Sequence, residues 1–178
     1  MTNVFLQTPN GRQMLIDGGP NKKVLSELGE VMPFYDRSID VVVATHPDAD
    51  HIGGLPEVLE RYDVSYIFDP GAISDSSVYR AWENAVNNEE SSEYKIISRG
   101  TRIFLEDDIW LEVLYPFKNQ KSSETNEMSI VAKLIFGKTC FLLTGDLERK
   151  GEYELLNDRL ECDVLKAGHH GSKTSTSD

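Results

Sequence analysis

The chain has 178 residues, of which 39% are hydrophobic and 27% charged, and its net charge at pH 7 is −12. This length supports one domain with a substantial core and excludes two ordinary domains. The composition excludes disorder, no apolar run approaches the ~18 residues of a membrane span, and the acidity argues against a large nucleic-acid-binding face. The amino terminus lacks the basic and apolar regions of a signal peptide. We therefore expect one soluble domain covering residues 1–178.

The predicted secondary structure alternates strands with helices. Apolar runs bounded by turn residues predict strands over residues 3–8, 13–17, 39–44, 64–68, 94–98, 102–105, 109–114, 128–136, 139–143 and 162–167. Apolar residues at helical spacing predict helices over residues 21–30, from Ile52 to about Tyr62, and over 75–88 and 147–157. Because the strands follow one another both directly and through helices, the sequence predicts an α/β domain with mixed sheets.

The two cysteines, Cys140 and Cys162, lie in apolar segments that resemble strands and have no CxxC spacing. Free cysteine is among the most frequently buried residue types, so we expect two buried thiols. Only the distance between the two residues in the fold decides whether they form a disulfide instead.

A dense group of polar residues follows the predicted strand 39–44. It consists of His46, Asp48, Asp50 and His51, which lie within six residues on a loop that opens a helix. Neutral imidazole and carboxylate groups are ligands of first-row divalent metals. The alternative is a solvated polar loop. The chain has only four histidines, and the other two are adjacent at positions 169 and 170, so their concentration in two places favours a metal site.

Four predicted strands end in a tight turn that carries Asp or His. The turns begin at Asp17, Thr45, Thr144 and Ala167. Ligand sites of open α/β sheets form at the carboxyl ends of strands, so these turns are expected to converge. A single Asp after a strand is more often a turn former or helix cap, and adjacent histidines are often exposed. Taken together, the four turns are better explained by one shared site.

These motifs resemble those of the metallo-β-lactamase superfamily. Its hallmark His-x-His-x-Asp-His stands here as His46-Pro47-Asp48-Ala49-Asp50-His51, with Asp48 replacing the second His. This variant resembles the branch formed by the carboxyl-terminal domain of ComEC DNA-uptake channel proteins and their free-standing relatives. Four further segments carry the same resemblance: Ile52–Leu55, Asn126–Val131, Leu142–Glu148 and Lys166–Ser172. The resemblance covers essentially the whole chain.

The resemblance implies an αββα sandwich of two mixed sheets packed face to face, with the helices outside and one or two divalent metal ions, Zn or Mn, at one edge. Members of the family usually begin with an additional strand carrying Asp-Val-Gly-Gln-Gly. They also continue beyond Gly-His-His-Gly-Ser to further strands and another His. The chain is therefore expected to be a domain truncated at both ends.

The resemblance also implies a set of metal ligands. By position, His46 and Asp48 ligate the first metal, Asp50 and His51 the second, and Asp146 bridges both.

Further residues are expected to complete or support that centre. His169 or His170 supplies another ligand, and Asp17 orients a ligand through a hydrogen bond. The usual His ligand between the hallmark motif and the bridging Asp is missing, and Asn126 and Ser129, which lie in that interval, are expected in the surrounding shell.

The chemistry expected at this centre is hydrolysis. A metal-bound water can have a pKa of ~7, and a second metal ~3.5–4 Å away can bind the phosphoryl and leaving oxygens. Asp50 is expected to orient the nucleophilic water and is the predicted catalytic residue. The additional carboxylate of Asp48 makes the site harder, which favours Mn or a weaker second site.

The resemblance implies a phosphodiesterase or nuclease that acts on DNA during competence-type uptake, with a membrane channel domain in the same protein as its partner. The sequence itself predicts no strong basic patch, because the only basic residues near the proposed site loops are Lys118, Lys121, Lys166 and Lys173.

Two alternatives stay open at this stage. One is hydrolysis of a small phosphodiester, an ester or a lactam, because the fold alone does not decide among substrates. The other is a non-catalytic, metal-bound module of a membrane channel. A free-standing protein of this kind would be cytoplasmic, whereas a domain of a ComEC-like membrane protein would lie outside the cytoplasm.

Overall fold

The computed structural model describes residues 3–175. The chain divides between Ile96 and Ile97 into two compact units, and each unit contains one mixed sheet of five strands. The prediction of an α/β protein with mixed sheets is therefore confirmed, and the prediction of one domain over residues 1–178 stays a prediction. In the described part of the chain, no helix has both the length and the apolar character needed to cross a membrane.

The first unit alternates strands and helices. Its elements are β1 (Val4–Gln7), β2 (Gln13–Ile16), α1 (Lys23–Val31), β3 (Ser38–Val43), α2 (Ala49–Ile52), α3 (Leu55–Leu59), β4 (Asp63–Asp69), α4 (Ser77–Asn88) and β5 (Glu93–Ile96). The sheet order is β1-β2-β3-β4-β5, with β1 antiparallel to β2 and the remaining neighbours parallel. Parallel neighbours end at the same edge, so the turns after β2 and β3 lie side by side.

The core of the first unit is built around β3. Its buried residues Ile39 and Val42 pack with Ile52, Leu55 and other apolar residues of the helices. This explains why the strand is a nearly continuous apolar run: a parallel strand covered on both faces has no solvent side on which polar residues would be favoured.

The helix predicted from Ile52 to about Tyr62 is shorter than expected, because α3 covers only Leu55–Leu59. Ile52 instead ends α2, and Gly53 and Gly54 separate the two helices. A β-carbon at either glycine would overlap a carbonyl oxygen, that of Pro20 or that of Gly18. The turn after β2 therefore packs directly on the break between the helices. This close approach brings the residues that follow β2 against the hallmark motif.

The second unit is a meander followed by one crossover. Its elements are β6 (Arg102–Glu106), β7 (Ile109–Tyr115), a 3-10 turn (Asn126–Met128), β8 (Val131–Phe136), β9 (Thr139–Leu143), α5 (Arg149–Glu154), β10 (Val164–Lys166) and a tight turn (Gly168–Gly171). The sheet order is β10-β9-β8-β7-β6, and only the β9–β10 pair is parallel. Consequently β9 and β10 end at the same edge.

Three predicted elements of the second unit are shorter than expected. The strand predicted from residue 128 begins at Val131, because residues 126–128 form a turn. The helix predicted over residues 147–157 covers only Arg149–Glu154, and the last strand covers only Val164–Lys166. Apolar residues beyond the ends, such as Leu147 and Leu155, pack into the small core of this unit without belonging to a regular element.

The prediction of two buried thiols is wrong, because Cys140 and Cys162 form a disulfide. Cys140 lies on β9 and Cys162 lies two residues before β10, and both are only half buried. The two strands are paired in parallel, with Asp163 donating to the Cys140 carbonyl, and the two cysteine Cα atoms are 4.8 Å apart. The contact depends on strand pairing between residues 22 positions apart, which local spacing does not encode.

We expect Cys162→Ser to lower the free energy of unfolding by about 3 kcal/mol, because the cross-link restricts the unfolded chain. Urea denaturation at equilibrium measures the effect. Reducing agent should lower the midpoint of the wild-type chain to that of the variant and should leave the variant unchanged. Equal midpoints for the oxidised wild type and the variant would contradict a stabilising disulfide.

Candidate metal centre

Asp17 is the centre of a buried hydrogen-bond network in the first unit. It follows β2 directly, is 1% exposed, and has a left-handed backbone with φ 60°. Its carboxylate accepts hydrogen bonds from the backbone N–H of Thr45 (2.8 Å) and from the Thr45 hydroxyl (2.9 Å). The same carboxylate lies 2.8 Å from Nδ1 of His51. A carboxylate at Nδ1 favours the tautomer whose Nε2 lone pair can bind a metal.

Thr45 connects the second histidine of this motif to the same network. Its hydroxyl oxygen lies 3.0 Å from Nδ1 of His46. The imidazole rings of His46 and His51 are both buried, and their centroids are 4.0 Å apart. Two neighbouring rings are therefore held from behind, through Nδ1, by one buried carboxylate and one hydroxyl.

The carboxylates of the motif lie on the other side of the two rings. Nε2 of His46 is 3.9 Å from an oxygen of Asp48, and Nε2 of His51 is 3.8 Å from an oxygen of Asp50. These distances are longer than a hydrogen bond. Two ligands about 2.1 Å from one tetrahedral ion are roughly 3.4 Å apart, so each pair could share an ion after shifts of a few tenths of an ångström.

The same four residues differ in their access to solvent. The histidine side chains are 0% exposed, whereas the side chains of Asp48 and Asp50 are 36% and 50% exposed. The imidazoles are thus fixed within the protein while the carboxylate side is open. This arrangement is suited to a centre that must admit a water molecule and a substrate.

Asp146 is a buried carboxylate of the second unit. It follows β9 through Gly145, whose φ is 53°, and its backbone N–H donates to the Ser129 hydroxyl at 3.1 Å. A β-carbon at Gly145 would lie only 2.9 Å from that of Ser129, so glycine permits the close approach. Asn126 contacts a different residue, because its side-chain amide donates to Glu148 at 3.4 Å.

The turn after β10 brings both adjacent histidines near Asp146. His169 and His170 both have left-handed backbones, with φ 44° and 54°, and such strained conformations are concentrated at functional sites. Nε2 of His170 is 3.6 Å from the Asp146 carboxylate, and Nε2 of His169 is 4.0 Å from it.

The surroundings of the two histidines differ. Nδ1 of His169 lies 3.2 Å from the Thr174 hydroxyl and 3.5 Å from the Glu148 carboxylate. His170 has the shorter separation from Asp146, and we therefore regard it as the stronger candidate ligand.

The predicted residues form one group in each unit. The first unit contributes Asp17, His46, Asp48, Asp50 and His51, and the second contributes Asn126, Ser129, Asp146, His169 and His170. Their roles as ligands or supporting residues stay predictions. Both groups offer imidazole nitrogens and carboxylate oxygens, a donor set that suits Zn, Mn or Fe.

Sequence reasoning missed Thr45, Glu148 and Thr174. Thr45 stands directly before His46, and Glu148 belongs to the motif that follows β9, so both were near recognised residues. Neither has a pattern that indicates its partner. The hydrogen bonds of Thr45 depend on the alignment of β2 with β3, and those of Thr174 depend on the tight turn after β10.

The profile of the Metallo-beta-lactamase superfamily matches residues 1–178, and the chain therefore belongs to this superfamily. Its members are generally hydrolases that bind divalent metals.

Competence proteins are among the relatives of the chain. It is 32% identical to ComE operon protein 3 of Bacillus subtilis (98% of this chain, 24% of that protein). It is 30% identical to Recombination protein 2 of Haemophilus influenzae (95% and 20%) and 29% identical to Competence protein ComA of Neisseria gonorrhoeae (98% and 23%). These are ComEC-family proteins, so the resemblance to that branch is confirmed. The chain spans between a fifth and a quarter of their length.

Solved structures confirm the fold class. Zn(2+)-bound PqqB from Methylobacterium extorquens matches with a TM-score of 0.61 and 14% identity over 92% of this chain and 58% of that chain. Rm3 metallo-beta-lactamase matches with the same TM-score and identity over 92% of this chain and 70% of that chain. At such identities the likeness shows the metallo-β-lactamase fold and no more.

We expect Asp17→Asn to weaken zinc binding roughly 10- to 100-fold, because the amide loses the charge that holds the His51 ring in its metal-binding tautomer. Competition against a chromogenic chelator measures the affinity. Asp63→Asn, an exposed change at the start of β4, is the matched control. Equal affinities for the two variants, with both folded by circular dichroism, would contradict the assigned role of Asp17.

We expect His170→Ala to lose more metal than His169→Ala. Loss of a direct ligand should exceed the roughly 10- to 100-fold effect of losing a supporting residue. Elemental analysis after gel filtration gives the metal content of each variant. A greater loss of metal in His169→Ala than in His170→Ala would identify His169 as the ligand.

Proposed function

We propose that this chain is a metal-dependent phosphodiesterase module that cleaves DNA in a ComEC-type uptake protein. The observation that carries the proposal is the buried network of Asp17, Thr45, His46 and His51. It holds two imidazoles with their Nε2 atoms 3.8–3.9 Å from the carboxylates of Asp48 and Asp50. Imidazoles whose Nδ1 atoms are held by buried hydrogen-bond partners, with carboxylates and solvent access on the Nε2 side, are typical of a metal centre with an open coordination position.

In this proposal, the imidazoles and carboxylates of the hallmark motif, with Asp146 and His170, are metal ligands. By the superfamily pattern, His46 and Asp48 would hold one ion, Asp50 and His51 would hold another, and Asp146 would contribute to both. His170, on the turn after β10, would supply the further ligand. Asp48 replaces an imidazole with a harder and negatively charged oxygen, which favours Mn over Zn at that ion.

One or two bound divalent ions would supply a water of lowered pKa and would polarise the phosphoryl oxygens. The chain's own residues position the reactants. The half-exposed carboxylate of Asp50 accepts a hydrogen bond from the attacking water and orients it toward phosphorus. Asp17 holds His51 in one tautomer, and Ser129 holds the backbone of Asp146 through its hydroxyl, so the ligands keep their directions when the substrate binds.

The relatives support DNA as the substrate. One of them is named Competence protein ComA and another is named ComE operon protein 3. The disulfide between Cys140 and Cys162 supports a location outside the cytoplasm, where thiols are not kept reduced. We therefore propose that a membrane channel domain of the same protein is its partner.

We expect Asp50→Asn and Asp146→Asn each to lower the rate of metal-dependent cleavage of a single-stranded oligonucleotide by a factor on the order of 10² or more. Asp50 is the group that orients the nucleophile, and Asp146 is a proposed ligand of the metal ions that supply the nucleophile. Cleavage is followed by denaturing electrophoresis with Mn²⁺ or Zn²⁺ added. Chelation should abolish it, added metal should restore it, and Asp63→Asn should retain it.

The same assay separates the proposed function from its alternatives. Hydrolysis of bis(p-nitrophenyl) phosphate without cleavage of DNA would indicate a small phosphodiester as the substrate, and hydrolysis of an ester or lactam alone would indicate that class. If the protein binds a stoichiometric amount of metal but hydrolyses none of these substrates, it is a non-catalytic module and the proposal of an enzyme is wrong.

A further inference from the structure

A cleft of about 390 Å³ lies in the second unit, and none of its residues belongs to the groups described above. Three lysines line it, Lys118, Lys121 and Lys150, together with polar residues that include Asn119 and Ser122. The chain has 18 basic and 30 acidic residues, so three lysines around one cleft run against its overall charge. Its volume is within the range of roughly 300–1,000 Å³ of small-ligand sites.

The loop that carries Lys118 and Lys121 is tied to the core of the unit. The side chain of Gln120 accepts a hydrogen bond from Phe117 N–H at 2.9 Å and donates one to the Tyr115 hydroxyl. Tyr115 is completely buried and donates to the Glu127 carbonyl at 3.0 Å. The lysines therefore project from a loop that is held in place at its base, and ordering the loop adds little cost to binding.

The cleft and the Asp146 group are built from the same two segments. Glu127, which lines the cleft, belongs to the turn that leads into Ser129, and Ser129 bonds the backbone of Asp146. Lys150 is on the first turn of α5, four residues after Asp146. The segments that position Asp146 therefore also carry residues of the cleft.

The acidic residues of the cleft offset only part of its positive charge. Glu127 and Glu154 also line it, against three lysines. Burial raises the pKa of Glu127 and Lys150 lowers it, so these two groups interact with each other. Lys118 and Lys121 lie on the exposed loop, where their ammonium groups are accessible to an anionic ligand.

We propose that this cleft binds the phosphodiester backbone of a single nucleic-acid strand next to the bond that the metal centre cleaves. The inference rests on the proposed function and adds a substrate-binding subsite to it. Ammonium groups bind phosphates as point charges, and proteins that hold single strands without sequence preference use grooves lined by such groups. A cleft of this size accommodates one flexible strand, and its phosphate chemistry is shared with free phosphate and pyrophosphate.

The test compares two triple variants of equal net charge. The cleft variant carries Lys118→Gln, Lys121→Gln and Lys150→Gln, and the control carries Lys22→Gln, Lys95→Gln and Lys138→Gln, which lie outside the cleft. Binding of fluorescein-labelled dT12 is measured by anisotropy in EDTA, so that no cleavage occurs.

We expect the cleft variant to bind dT12 at least tenfold more weakly at low salt. The slope of log K against log [NaCl] should become shallower by about 2, because each lost contact with a single strand contributes ~0.7. The control should change less than twofold. Equal losses in both variants would overturn the subsite. Displacement of dT12 by micromolar pyrophosphate would indicate that the cleft binds a free phosphate compound, and this result would also overturn the proposed subsite.

Kinetics distinguish failure of this subsite from failure of the proposed function. The cleft variant should hydrolyse bis(p-nitrophenyl) phosphate at the wild-type rate and should have a raised KM, with little change in kcat, for the oligonucleotide. Cleavage of dT12 by the cleft variant with unchanged KM would reject the subsite and leave the nuclease intact. Tight, lysine-dependent binding of dT12 without any cleavage would reject the nuclease and leave the subsite intact.

Discussion

The buried carboxylate of Asp17 is the interaction on which the first unit's candidate site depends. It receives two hydrogen bonds from Thr45 and lies 2.8 Å from His51, so it fixes the ends of β2 and β3 and the start of α2 relative to one another. A buried charge is costly unless it is paired and hydrogen-bonded, and Asp17 has these partners only in this arrangement. Any change that moves one strand end therefore also moves the imidazoles.

In the second unit, different groups hold the candidate ligand Asp146 in place. A hydroxyl, that of Ser129, holds the backbone of Asp146, and Gly145 permits the approach because it has no β-carbon. The disulfide between Cys140 and Cys162 joins β9, which leads to Asp146, to the segment leading into β10 and the histidine turn. The three-residue strand β10 is therefore connected to β9 by a covalent bond as well as by strand pairing.

The acidity of the chain is compatible with a nucleic-acid substrate only if charge is arranged locally. Bound divalent cations reverse the sign of the field at a carboxylate-rich centre, and three lysines line the cleft of the second unit. The net charge of −12 then acts against binding elsewhere on the surface. In the proposed nuclease, this combination would favour binding of a strand at the metal centre over non-specific binding.

The sequence by itself determined the order and type of the elements and the residues of the hallmark motif. Apolar periodicity reports burial, and a dense His and Asp cluster after a buried strand has few structural uses. Tertiary structure alone decided which groups meet: Thr45 with Asp17, His170 nearer than His169 to Asp146, Cys140 with Cys162, and the three lysines at one cleft. The reason is physical, because local pattern records whether a residue faces the core, whereas its partner depends on strand order and register between distant segments.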